Sequence, residues 1–218
     1  MLERSAQAPQ HWRQEFTEAA VRDFVLKTSP DVVLFQELPR MVPFVETHGM
    51  IKANPETHSG NLAVLVKQEL LATEPSHVTI KGCAVLVTFG DLTIANVHLE
   101  PGPAGTGKRL EQFAEIVEAS PTPNIVIAGD TNTRVDEEEP LAEAGLLGER
   151  PPQPTWNGKK NRFRHGAEFS AYFTRWFATE SVAVSDVKVW TDPIDSESEE
   201  FYLSDHFALS ATVSLADG

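Results

Sequence analysis

Apolar residues recur at helical spacing from 13 to 28, RQEFTEAAVRDFVLKT, where Phe16, Ala20 and Phe24 share one face with Val21 at its margin. The spacing predicts an amphipathic helix, and Ser29-Pro30 stops it, because the residue before a proline is pushed out of the helical region. Asp31 to Gln36, DVVLFQ, then reads as a short buried strand. A second short helix is expected over 38 to 47. Further strands fit Asn61 to Val66, Ala84 to Phe89 and Leu92 to Leu99, with Gly90-Asp91 as the turn between the last two. The glycine- and proline-rich segment 101 to 107 is a loop. Lys108 to Ala119 is a helix with Leu110, Phe113, Ile116 and Val117 inward, and Asn124 to Ala128, NIVIA, is another buried strand that ends at Gly129-Asp130.

The second half of the chain is more broken. A short acidic helix is expected over 137 to 146, then a long basic loop, PPQPTWNGKKNRFRHG. Strands follow over 171 to 178, 182 to 190 and 207 to 214, with the acidic loop 192 to 200 between the last two. Strands dominate, hairpins occur and helices punctuate them. That order fits an α/β (α+β) chain in which helices lie outside packed sheets. No internal repeat or domain boundary is visible, so residues 1–218 are expected to form a single domain.

Composition narrows the function classes. The chain has 218 residues, 41% of them hydrophobic and 23% charged, the balance of a folded rather than a disordered protein. No apolar run approaches the ~20 residues of a membrane span, and the polar start MLERSAQAPQHWRQEF lacks an apolar signal core. The single cysteine, Cys83, excludes an intrachain disulfide and a multi-cysteine zinc site, and points to a reducing cytoplasm. Eighteen basic residues against 32 acidic ones give a formal charge of -14, too negative for a passive nucleic-acid coat. An enzyme meeting phosphate at one local patch stays open, and a monomer is the expected state.

The candidate chemistry lies at strand ends. Gln36-Glu37 follows DVVLF, His98-Leu99-Glu100 follows LTIANV, Gly129-Asp130-Thr131-Asn132 follows NIVIA, and Ser204-Asp205-His206 precedes FALSATV. One carboxylate at a strand end is more often a turn former or helix cap. Together the four places supply carboxylates, imidazoles and an amide, a donor set that suits Mg²⁺ or Mn²⁺ better than zinc.

QE after PDVVLF, then HLE, GDTN and SDH in that order, resemble the endonuclease/exonuclease/phosphatase superfamily of metal-dependent phosphodiesterases. GDTNTR and NVHLEP are similar to its tyrosyl-DNA phosphodiesterase branch, and the likeness runs from about Phe16 to Val213. It implies a four-layer αββα sandwich of two mixed sheets with outer helices. It also implies that Glu37 is a metal ligand, with Asp205 beside the metal. Asp130 would orient or deprotonate the attacking water, Asn132 would hold the phosphate, and His206 would stabilise the pentavalent phosphorus. His98 falls at a phosphate-contacting position. Trp156, after Pro154-Thr155, resembles a TW motif near the substrate. Arg134 is placed for a bidentate phosphate contact or is a surface arginine. A nucleic-acid end or a small phosphoester is the implied substrate.

Two departures from the family pattern stand out. The family opens on a buried strand ending in a metal- or phosphate-binding asparagine, and no such strand precedes the first helix here, so either the sequence is shortened or the protein works without that amide. The family also supports its histidine with an aspartate where AYFTRWF carries Thr174. The competing reading is a catalytically weak or inactive scaffold of the same fold.

Other signals compete. Gly102 to Lys108, GPAGTGK, matches the first part of a P-loop, but Arg109 replaces the Mg²⁺-binding hydroxyl, so a nucleotide binder is the weaker alternative. Lys159, Lys160, Arg162, Arg164 and Arg175, interleaved with Trp156, Phe163 and Phe169, form either a substrate lip or a solvated basic loop. His58-Ser59-Gly60-Asn61 reads as a tight strand entry. His11, His48, His77 and His165 are expected at the surface, and Cys83 is expected to be a packed or half-exposed thiol.

Overall fold

The computed structural model describes residues 14–38, 45–51, 61–161, 168–195 and 200–216. In chain order, α1 (Gln14–Thr28) is followed by β1 (Val32–Leu38), β2 (His48–Ile51), β3 (Asn61–Lys67) and the short α2 (Gln68–Leu71). Next come β4 (Ser76–Ile80), β5 (Ala84–Phe89), β6 (Leu92–His98), α3 (Thr106–Ala119), β7 (Asn124–Asp130) and α4 (Glu138–Glu143). The last part holds β8 (Trp156–Asn157), α5 (Gly158–Asn161), β9 (Ser170–Ala171), β10 (Thr174–Ala178), β11 (Val182–Trp190), β12 (Ile194–Asp195), β13 (Glu200–Phe201) and β14 (Ala208–Leu215).

The strands build a five-stranded mixed sheet in the order β10-β7-β6-β5-β4, facing a three-stranded sheet β1-β3-β2 and a two-stranded β11-β14 ribbon. Alternation along each strand sets the layers. Val85 and Val87 meet Val64 and Val66 of the facing sheet, while Leu86, Ala95, Ile125 and Ile127 turn the other way onto Phe113 and Ile116 of α3. Val126, Trp176 and Ala178 pack on the β11-β14 ribbon. Val25 of α1 covers the outer side of the three-stranded sheet through Leu65, Val33 and Phe35, and Phe24 meets Trp190 of β11 edge to face at 5.1 Å. Helix, sheet, sheet, helix is the four-layer αββα sandwich expected from the resemblance. The parallel pair β6-β7 is joined by a crossover through α3, as a parallel pair requires.

Residues 1–13, on which the expected absence of a first strand falls, lie outside the described residues, and among the described residues β1 pairs on one side only, with β3. Its residues 32–37 are all half-buried, whereas Ile125, Val126 and Ile127 of β7 are buried. Asn96 ties the two sheets together. It is fully buried, donates from Nδ2 to the carbonyls of Phe35 (2.9 Å) and Ala63 (3.0 Å), and accepts from Gln36 Nε2 at 2.6 Å.

Several expectations are corrected. The helix expected over 38–47 does not form at its described ends: β1 continues through Leu38, 46–47 are a turn and β2 begins at His48, while 39–44 lie outside the described residues. Strands β2 and β4 escaped the pattern because β2 is short and β4 is exposed except at Ile80. The acidic helix is shorter than expected, a 3₁₀ turn at Val135–Glu137 followed by α4, and the chain turns at Gly145 with φ +80°. The long basic loop contains β8, paired with β9, and α5. Within the acidic segment, β12 and β13 pair as a small hairpin. His48 is buried rather than on the surface, with Nε2 2.7 Å from the Pro30 carbonyl. His11, His58, His165, Ser59, Gly60, Arg162, Phe163 and Arg164 lie outside the described residues. Cys83 is buried, and that burial pushes its thiol up to about 11.

The P-loop-like segment has a different architecture. Arg109, fully buried, donates from Nη1 to the carbonyls of Glu100 (2.7 Å) and Gly102 (2.8 Å) and pairs with the equally buried Glu137. Thr106 Oγ1 donates to the same Glu137 at 2.9 Å, so α3 starts two residues earlier than expected. Lys108 points out and pairs with Glu111 at 3.1 Å. The arginine in the hydroxyl's place thus binds the loop's own carbonyls, and the lysine is engaged elsewhere.

Candidate active site

Strand register assembles the first half of the site. His98 on β6 is level with Asp130 on β7, and Asp130 is level with Thr174 on β10. The three residues form one row across neighbouring strands, at the edge of the inter-sheet space. His98 is 2% exposed, with Nε2 3.5 Å from Asp130 Oδ2. Gly129 makes the row possible: its φ is +137°, and a Cβ there would stand 2.4 Å from the Val97 carbonyl oxygen.

Glu37 arrives from the opposite sheet. In a regular strand Gln36 and Glu37 would face opposite ways. The β1-β3 register shifts between Phe35 and Leu38, and Glu37 takes φ +56°. This bulge turns both side chains inward: Gln36 reaches Asn96, and Glu37 Oε1 lies 3.8 Å from His98 Nε2. Asn132 also has positive φ, at +52°, so two of the candidate site residues hold backbone conformations that side chains rarely adopt. The Asn132 N–H donates to Asp130 Oδ1 at 3.3 Å, and its Nδ2 donates to the Leu99 carbonyl at 3.2 Å.

The other half comes from the segment before β14. His206 Nε2 lies 3.8 Å from Asp130 Oδ2, and its Nδ1 shares a 2.9 Å hydrogen bond with the Thr174 hydroxyl. Asp205 accepts from Trp156 Nε1 at 3.4 Å and from the Ser204 hydroxyl at 3.3 Å, while Asn161 Nδ2 donates to its carbonyl. Burial raises the Asp205 carboxyl, but the neighbouring His206 and the Trp156 hydrogen bond outweigh it, and the net direction is down. The segment is fixed by backbone contacts: Trp156 bridges His206, and the Phe207 N–H donates to the Thr155 carbonyl at 2.8 Å. The Thr155 hydroxyl in turn accepts the Thr174 N–H at 3.0 Å.

Asp130 is therefore the hub, with one imidazole on each side. Among the described residues, Glu37, His98 and Asp130 form a group whose ligand atoms all lie within 4.8 Å of one another. Two hard carboxylates and an imidazole in one small space fit a divalent cation. Asp205, expected beside the metal, lies outside that group and belongs to the His206 half.

Trp156, expected at the substrate lip, is 2% exposed and serves Asp205 from inside. Arg175 is likewise no part of an exposed basic lip: it is 2% exposed and donates to Glu138 at 2.7 Å. Lys159 and Lys160 remain on the surface, Lys159 beside Glu168 at 3.4 Å. Arg134 stacks over Phe173, with its guanidinium carbon 4.9 Å from the ring centre. Phe173 in turn lies 6.3 Å from the His206 ring, and Phe169 stands between Phe173 and Trp156. Sequence reasoning missed Asn96 and Asn161 and singled out Thr155 only as part of the TW motif, and all three hold these groups in place. The legible signal for Asn96 was an amide interrupting the apolar strand LTIANV.

The sequence matches the model of the endonuclease/exonuclease/phosphatase family over residues 12–206, and the chain belongs to that family. Solved structures share the fold at low identity. D. rerio TDP2 complexed with a single-strand DNA product is 17% identical, with a TM-score of 0.70 and 94% of each chain covered. A truncated Caenorhabditis elegans TDP2 is 18% identical, with a TM-score of 0.68 over 92% of this chain and 91% of the other. The mannosyl-6-phosphatase of Bacteroides thetaiotaomicron is 13% identical, with a TM-score of 0.65 over 92% and 91%. No curated protein matches the sequence. Among the described residues, no helix is long and apolar enough to cross a membrane.

Proposed function

We propose that the chain is a Mg²⁺- or Mn²⁺-dependent phosphoesterase that hydrolyses phosphodiester bonds by in-line attack of an activated water. The observation that carries this reading is the meeting of Glu37, His98 and His206, from three other segments, around the Asp130 carboxylate. Glu37, His98 and Asp130 would hold the ion, which when bound offsets the phosphate's negative charge.

The remaining steps belong to the chain's own groups. Asp130, aligned by the Asn132 N–H, orients the attacking water and accepts its proton. Asn132 keeps one amide proton on the Leu99 carbonyl and presents the other to a phosphate oxygen without adding charge. His206, partly open to solvent, donates from Nε2 to the oxygens that gain charge in the transition state. The Thr174 hydroxyl can donate to Nδ1 or accept from it, so it orients the ring in either protonation state. Asp205 holds the other side of that turn, and Trp156 holds Asp205.

A nucleic-acid end or a small phosphoester is the proposed substrate. The charge of -14 disfavours long duplexes, and two of the structural neighbours, a TDP2 complexed with a single-strand DNA product and a mannosyl-6-phosphatase, span that choice. The chain is proposed to act as one monomeric domain spanning 1–218, in a reducing cytoplasm. A second reading, a weakly active or inactive scaffold, is favoured by one observation: Thr174 stands where a carboxylate would stabilise a charged His206.

The test is hydrolysis of bis-(p-nitrophenyl) phosphate and short oligonucleotides with Mg²⁺, with Mn²⁺ and with chelator. Turnover is expected only with metal, and Asp130→Ala and His206→Ala should each lower it by about 10²–10⁴-fold. Turnover that persists in chelator or in Asp130→Ala would overturn the proposal. Absence of both turnover and Mg²⁺ binding would support the scaffold.

A further inference from the structure

Phe173 also lines a cavity of about 490 Å³. Its walls come from the segment after Asn132, from the start of α3, from β9 and the turn before β10, and from the loop before β8, so it borders the candidate active site without sharing its carboxylates. Arg134, Arg150 and Arg175 line it, with Tyr172 and Phe173 on one side. In a chain of net charge -14, three guanidinium groups in one cavity are a local exception.

The arginines are placed in a way that leaves donors unused. Arg175 is 2% exposed, its guanidinium carbon lies 5.0 Å from the Phe177 ring centre, and only its Nη1 has a hydrogen-bond acceptor, Glu138 Oε1 at 2.7 Å. Its Nε and Nη2 are buried and have no hydrogen-bond partner among the described residues, and the same holds for Arg134 Nε. Buried guanidinium donors without acceptors are rare in folded proteins. Glu138 Oε1 accepts from Arg175 Nη1 and from Arg150 Nε at 3.1 Å, and its Oε2 accepts from Arg150 Nη2 at 3.4 Å, so none of its bonds goes to Arg175 Nε or Nη2. Asp136 is the other carboxylate on the wall, so the positive groups outnumber the negative ones. Glu138 instead acts as a brace that holds Arg150 and Arg175 side by side.

We infer that this cavity is a phosphate-binding subsite, in which Arg175 and Arg150, with Arg134 at the rim, receive a phosphate group distinct from the one being hydrolysed. A tetrahedral oxyanion offers several acceptors at once and matches the forked geometry of guanidinium groups. Tyr172 and Phe173 give the same cavity an aromatic wall, and its volume is that of a small-ligand site rather than of a bare ion. The phosphate is either carried on the substrate, one unit from the scissile bond, or is a free anion.

Calorimetric titration of inorganic phosphate in the presence of chelator tests this without recourse to turnover. One phosphate is expected to bind wild type and Asp130→Ala alike. Arg150→Ala, a change at the protein surface, and Arg175→Met should each weaken binding by at least about tenfold, the effect of losing one charge-assisted contact. Absence of binding to wild type would overturn the proposal. So would binding that Arg150→Ala leaves intact or that His206→Ala abolishes. The source of the phosphate follows from a pair of dinucleotides with and without a 5′-phosphate. If Arg150→Ala raises KM only for the phosphorylated one, the substrate carries the group. If it alters neither KM but loses inorganic phosphate, the cavity takes a free anion.

Discussion

Strands β1 and β7 both carry short apolar runs, VVLF and IVIA, and each has a candidate site carboxylate near its end, yet they sit in unlike surroundings. β7 lies between β6 and β10, has helix α3 on one face and the opposite layer on the other, and its Ile125, Val126 and Ile127 are buried. β1 has one strand partner among the described residues, and its valines, leucine and phenylalanine are half-buried. Hydrophobic alternation reports which faces are covered and is silent on how many neighbours a strand has. The candidate site spans the two: Asp130 and His98 stand on the well-sealed sheet, Glu37 on the thinner one.

The comparison can be broken most directly by truncation. Ile127→Ala should cost about 3–4 kcal/mol, whereas Leu34→Ala should cost only about 1–2 kcal/mol, because a half-buried site loses less transfer energy and can collapse. Urea unfolding of both variants checks this, and equal losses would mean that β1 is as well packed as β7. The seam is the next target. Asn96→Leu removes hydrogen bonds to Phe35, Ala63 and Gln36 at once, and is expected to cost about 2–3 kcal/mol while lowering metal-dependent turnover through Glu37.

Smaller effects sharpen the sealed side. Thr174→Asp places a carboxylate beside His206 Nδ1, and turnover near neutral pH should rise about tenfold, the scale of a histidine's supporting partner. A fall would show that the hydroxyl is the better partner for this chain. The smallest effect is in acid. Burial raises the Glu138 carboxyl, but the hydrogen bonds from Arg150 and Arg175 outweigh it, and its folded value lies below the usual carboxylate range. Its contribution to stability is therefore present above that range and is lost as pH falls through the depressed folded value. Melting curves from pH 6 downward should show a shallow slope that Glu138→Gln flattens.

Much of the fold was legible because periodicity is a local property. Helices α1 and α3 and strands β3, β5, β6, β7 and β11 fall where the apolar spacing placed them. The site residues were legible for a related reason: a polar group at the end of an apolar run has few structural explanations, and four such runs end in Glu37, His98, Asp130 and, before the last, Asp205-His206. What the sequence left unread is the long-range bonding that sorts those residues. That Trp156 turns inward to Asp205, that Arg109 pairs with Glu137, and that Arg175 sits beneath Glu138 all depend on partners 28 to 49 positions away. Likewise, the bulge that aims Glu37 has no signature in DVVLFQEL, since no glycine marks its left-handed residue.

The row formed by His98, Asp130 and Thr174 takes its dimensions from the backbone. Neighbouring strands stand roughly 4.8 Å apart whatever their side chains, so the separation of the three groups is inherited from the hydrogen-bond ladder rather than tuned by loops. A slip of one position in either ladder would swing a whole member of the row toward α3. Such a chain would lose the alignment of the three groups outright rather than by degrees, so the row is all-or-none.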